Sequence, residues 1–143
     1  MTHQVRAHSV AGRDASVEAI NQTVPIDARW VADEPSGLPG PAELLLAAFA
    51  ACLMKNLARS SAIIGFEYHQ ADIDVTARRQ ERPPKFVEIE YEVRLVTDEE
   101  ERHLELLHRN LRNFGTVYNT LAAVCDVHGD IVPVSMPGGS NPR

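Results

Sequence analysis

The sequence predicts an α+β fold, and three observations carry that reading. After Pro41 no glycine or proline occurs until Gly65, and residues 44–54 within that stretch are almost wholly apolar, the mark of a long helix. Residues 68–80 and 86–96 alternate with a period of two, through Ile73, Val75 and Ala77 and then Val87, Ile89, Tyr91, Val93 and Leu95, as a hairpin with one solvated face does. Residues 98–113 carry Leu104, Leu106, Leu107 and Leu111, giving a helix with one apolar face.

Each element follows in order. Short β-prone runs at 5–10, 16–20 and 24–28 are separated by Gly12-Arg13-Asp14 and Asn21-Gln22, so two or three antiparallel strands open the chain. The prolines and glycines of 33–41 disfavour regular structure and deliver the chain to the long helix, with Pro41 suited to its first position and Gly65 to its C-cap. Residues 81–85, with Pro83 and Pro84, connect the two strands of the hairpin. Acids at 98–101 then start the next helix at the positive end of its dipole. A short helix over 117–124 leads to Cys125, and 131–134 forms a final edge strand, where Pro133 is tolerated. Phe49 and Trp30 are expected in the core or on a pocket wall. A single domain covers 1–136, the tail 137–143 is expected to be disordered, and there is no internal repeat.

A chain of 143 residues that is 44% hydrophobic can bury a core of its own. Its net charge of -6, with both signs mixed along the chain, offers no basic stripe for nucleic acid and no polybasic anchor for a membrane. The first residues hold no apolar signal core, and 44–54 falls short of the about 20 residues of a membrane span, so a soluble, cytoplasmic protein is expected. The first half of the long helix is apolar on every side and has to be covered all round. A second subunit is the natural cover, which predicts a homodimer.

The two cysteines sit in different settings: Cys52 inside the apolar run, and Cys125 just before Asp126-Val127-His128-Gly129-Asp130. In a reducing cytosol both rest as thiols, so a disulfide between them would be a catalytic or sensing state rather than a staple. Plain packing is the alternative, since free cysteine behaves as a small hydrophobe. His128 invites a metal reading, but two ligands are too few and the other histidines, His3, His8, His69, His103 and His108, are scattered, so no metal and no cofactor is expected. There is no glycine-rich phosphate loop and no legible Ser-His-Asp set.

The order of strands, central helix, hairpin, helix and second cysteine resembles the OsmC/Ohr family of organic-hydroperoxide-reducing proteins. Residues 41–52 are similar to the family's peroxidatic-cysteine helix, 124–127 to its resolving-cysteine segment, and Gly12-Arg13-Asp14 to the turn that carries an activating arginine. The resemblance implies an intertwined α+β homodimer with long central helices flanked by antiparallel sheets. It also implies that Cys52 attacks an organic hydroperoxide, that Cys125 closes a disulfide onto it, that Arg13 (with Arg29 in reserve) activates Cys52, and that a dithiol reductant restores both thiols.

An activating cation is needed because a thiol attacks as its thiolate, and an ordinary cysteine ionises only near about pH 8.5. The helix N-terminus is too remote to serve, being roughly 16 Å before Cys52. The chain departs from the family pattern at two positions. Ala42 follows the helix-opening proline where the peroxidase branches carry a glutamate, and Asp126 follows Cys125 where proline is common. Glu43 is no substitute: at about 100° per residue it lies on the opposite face of the helix from Cys52, and three positions after Gly40 it suits an N-terminal stabiliser. Asp14 is then an alternative acid for holding the arginine. Two further readings stay open: an OsmC-like protein that binds a small ligand without peroxide turnover, and a redox sensor.

Overall fold

Proline at the first helical position and glycine just past the last residue bound helix α1 (Pro41–Ile64) in the computed structural model, which describes residues 1–30 and 36–135. Gly65 has φ +70°, the left-handed value that stops a helix at little cost for glycine. At the other end Glu43 Oε1 accepts the Gly40 N–H at 2.9 Å, and the Leu44 N–H bonds back to the Gly40 carbonyl at 3.0 Å. Glu43 is thus the N-terminal stabiliser its spacing predicts. The chain divides into two compact units, Met1–Leu45 and Leu46–Arg143. The expected disordered tail 137–143 and residues 33–35 of the expected loop lie outside the described residues.

The N-terminal unit is an antiparallel meander of β1 (Arg6–Ser9), β2 (Ala15–Ala19) and β3 (Gln22–Ile26), paired in that order. Gly12, at φ +72°, turns the chain between β1 and β2. None of the three strands buries a residue. Trp30 is 98% exposed and lines an open hollow of this unit, so of its two expected settings it takes the pocket wall and not the core.

The C-terminal unit holds the core. β4 (Gln70–Glu81) and β5 (Pro84–Val96) pair antiparallel, and the expected loop shrinks to a turn at Arg82-Pro83 because Pro84 already pairs with Glu81. Helices α2 (Glu101–Phe114) and α3 (Thr116–Ala122) then carry the chain back to β6 (Asp126–Val134), which pairs with β5 in parallel. The second sheet is therefore mixed rather than wholly antiparallel, because a helical crossover returns the chain to run in the same direction as the strand it left. β6 is an edge strand as expected but starts five residues earlier than 131.

Ile89, Tyr91, Val93 and Leu95 of β5 face Leu104, Leu107 and Leu111 of α2 and Phe49, Leu53 and Leu57 of α1 in one cluster. Period two on the strand and periods of three and four on the helices supply that shared apolar face. By length and composition α1 is apolar enough to cross a membrane, a test that a core helix also passes. In the single chain 22% of that apolar stretch is buried, Phe49, Leu53 and Leu57 among it, and the rest is at least partly uncovered.

Candidate functional site

Cys52 lies beside the buried stripe of α1 formed by Phe49, Leu53, Asn56, Leu57 and Ser60, half-buried against the core. One turn on, Asn56 Nδ2 donates to Cys52 Sγ at 3.7 Å. Gly115, the residue between α2 and α3, closes the far side of this thiol. A Cβ there would stand 3.0 Å from Cys52 Sγ, 2.9 Å from Asn56 Nδ2 and 2.9 Å from Tyr118 Cβ. Glycine is needed for room and not for its dihedral angles, since φ is −83°.

Cys125 is also half-buried against the core. Its N–H bonds to the Leu121 carbonyl at 2.8 Å, and its Sγ donates to the Phe86 carbonyl at 3.3 Å. Both thiols are free. Cys52 Sγ abuts Gly115 at the start of α3 and Cys125 follows its end, so a helix of seven residues, about 10 Å long, separates their settings.

Arg13 belongs to the N-terminal unit and Cys52 to the C-terminal one. Arg13 sits on the β1–β2 turn, its N–H bonded to the Val10 carbonyl at 2.9 Å, and its side chain lines an open hollow of about 710 Å³ with Asp14, Asp27, Arg29, Trp30 and Leu38. Arg29 is engaged with Asp27, Nε to Oδ1 at 3.4 Å. The Arg29 N–H, the Ser36 hydroxyl and the Arg29 guanidinium together hold the Asp27 carboxyl below the usual carboxylate range. Another open hollow of about 730 Å³, over the start of α2, is lined by solvated charges and a single leucine, and neither hollow is lined by a cysteine.

Within the core a polar chain runs through an otherwise apolar cluster. Tyr91 Oη lies 2.7 Å from His108 Nε2 and 3.3 Å from Tyr118 Oη, and the Phe49 ring stacks on Tyr118 with centroids 5.5 Å apart. Burial, and secondarily the neighbouring Arg112, holds the His108 imidazole below its ordinary pKa. Burial and the Tyr118 hydroxyl push the Tyr91 phenol up. Sequence reasoning missed this network and Asn56 alike. The four-residue spacing from Cys52 to Asn56 was a usable signal, whereas Tyr91, His108 and Tyr118 come from three separate elements.

His128 lies on β6 with its side chain on the solvated face, Nε2 3.0 Å from Glu88 Oε2. The alternation of the strand puts Asp126 and His128 on one side and Val127 on the other. The structure brings Glu88, Asp126 and His128 together, their ligand-type atoms within 4.8 Å of one another, which supplies a third group that sequence spacing did not show. Glu88 also pairs with Arg78 at 3.4 Å. Glu88 raises the pKa of His128 and His128 lowers that of Glu88, the marks of an ion pair between β5 and β6.

The sequence profile of OsmC-like proteins matches residues 34–128, well over half of the chain. No curated protein matches at a significant level. Among solved structures, an OsmC-like protein from Mycoplasma pneumoniae superposes with a TM-score of 0.83 at 16% identity, covering 94% of this chain and 98% of its own. An organic hydroperoxide resistance protein OsmC from Legionella pneumophila gives 0.73 at 17% identity, with 92% and 97% covered. The organic hydroperoxide resistance protein OhrB of Bacillus subtilis gives 0.68 at 18%, with 92% and 98% covered. Profile and fold agree with the resemblance drawn from the cysteine helix, and the chain belongs to the OsmC-like family.

Proposed function

We propose that this chain is a cytoplasmic thiol peroxidase that reduces organic hydroperoxides. The observation that carries the proposal is Cys52, a free, half-buried thiol on the long helix of an OsmC-like fold, with an amide donor at 3.7 Å. The Legionella and Bacillus proteins, both named for organic hydroperoxide resistance, support the choice of substrate. The Cys52 thiolate attacks the terminal oxygen of the hydroperoxide. The O–O bond breaks, Cys52 becomes a sulfenic acid, and the departing alkoxide takes a proton to become the alcohol. The Cys125 thiol then displaces hydroxide from that sulfur, forming a disulfide and water. A dithiol reductant exchanges with the disulfide and leaves oxidised itself. Arg13 is the cation assigned to favour the Cys52 thiolate.

A homodimer is part of the proposal. Along α1, Ala47, Ala51, Met54, Ala58 and Ala62 are exposed in the single chain, a small-residue and apolar face suited to close helix packing. Sedimentation of the intact chain at micromolar concentration should report twice the monomer mass.

The second reading is a small-ligand-binding protein without turnover. It is favoured by Ala42 at the family's glutamate position and by the use of Glu43 to cap Gly40. Adding an alkyl hydroperoxide to reduced protein separates the two. Peroxidase chemistry consumes two thiols per chain and turns over with a dithiol, turnover vanishes in Cys52→Ser, and Cys125→Ser halts at a sulfenic or over-oxidised Cys52. Thiols that survive excess hydroperoxide would leave only the binding reading.

A further inference from the structure

We infer that Asn56 is the hydrogen-bond donor that orients Cys52 Sγ and favours its thiolate, an assignment that rests on Cys52 being the reacting thiol. Asn56 is 8% exposed, on a stripe of α1 otherwise made of Phe49, Leu53, Leu57 and Ser60. A leucine there would favour the helix and would bury no amide, so an asparagine is stable in this place only with a partner. Among the described residues, the hydrogen bond its side chain makes goes to the sulfur.

The geometry follows from helix periodicity. Positions four apart face each other across one turn, which sets Nδ2 at 3.7 Å from Sγ. Gly115 then covers both atoms from the opposite side, and any side chain there would meet Nδ2 at 2.9 Å and Sγ at 3.0 Å. Only glycine therefore leaves room at this point for the sulfur and the amide side by side. A neutral N–H donor bonds more strongly to a thiolate than to a thiol and so shifts the balance towards the thiolate without an ion pair.

The test reads the sulfur directly and needs no peroxide. In full-length protein carrying Cys125→Ser, the rate of Cys52 alkylation by iodoacetamide is followed against pH. Asn56→Leu and Asn56→Ala should both move the profile to higher pH, while Asn56→Ser, which keeps a short donor, should move it less. Profiles of the leucine and alanine variants that superimpose on the parent overturn the inference. A chain that shows the shifted profile yet consumes no hydroperoxide keeps the role of Asn56 and sinks the peroxidase proposal, and turnover with unshifted profiles does the reverse. Either variant suffices, so a folding defect in one leaves the other to decide.

Discussion

Tyr91 Oη and His108 Nε2 stand 2.7 Å apart at the edge of the core, joining β5 to α2 through a part-buried polar contact. The Tyr91 hydroxyl thus shares hydrogen bonds with the His108 imidazole and with Tyr118 Oη, which lies 3.3 Å away. Tyr91→Phe removes the shared hydroxyl and strands two half-buried polar groups. The expected loss is about 1–3 kcal/mol of unfolding free energy by urea titration.

The same imidazole sets an acid limit. Because the folded pKa of His108 lies below its ordinary value of 6.5, the folded state disfavours protonation that the unfolded state accepts. This contribution is complete above about pH 6.5 and is lost as pH falls through the folded value. His108→Gln should flatten the fall in stability between pH 7 and pH 5, as followed by urea unfolding at a series of pH values.

Gly129 is a packing requirement. A Cβ at this position would lie 2.1 Å from the Tyr91 carbonyl oxygen and 2.5 Å from the Tyr91 ring, so β6 could not keep its register on β5. Gly129→Ala should therefore lower stability by about 2 kcal/mol or more, beyond what the β-propensity of alanine could offset. A thermal midpoint equal to that of the parent would contradict this packing.

Glu43 is assigned to helix capping and not to chemistry. Glu43→Ala should cost about 0.5–1 kcal/mol, while Glu43→Gln, which can still accept the Gly40 N–H, should cost less. Hydroperoxide consumption by Glu43→Gln should match the parent, and a large loss there would restore this acid as a catalytic partner.

The His128–Glu88 pair is exposed and should be weak. Glu88 raises the His128 pKa, so the pair's favourable contribution on the histidine side is full below about pH 6.5 and fades as pH rises through the raised value. His128 lowers the Glu88 pKa, so on the acid side the contribution is lost as pH falls through that lowered value. In Glu88→Gln the proton NMR titration of His128 should move to lower pH, and added salt should shrink the difference between the two proteins.

Local chemistry made much of this fold legible. Pro41 and Gly65 marked the ends of α1, because helix termini are decided by the φ preferences and missing donor of single residues. The parity of 86–96 marked the core face of β5, because successive side chains on a strand point to opposite sides. β6 was half hidden. Its first half holds a glycine and charges in place of an apolar run, because Tyr91 fills the space at Gly129 and the charges face solvent.

From the order of its residues alone, this chain determined its α+β class, the length of its cysteine helix, the capping role of Glu43 and the place of both thiols along the chain. Only the tertiary structure decided what meets Cys52, that Cys125 is tied to the Phe86 carbonyl at the other end of α3, and that Trp30 stays outside the core. The physical reason is range. Caps and periodicities are set within a few residues, while the surroundings of a sulfur come from segments as far apart as 52 and 115, which only the packed core brings together.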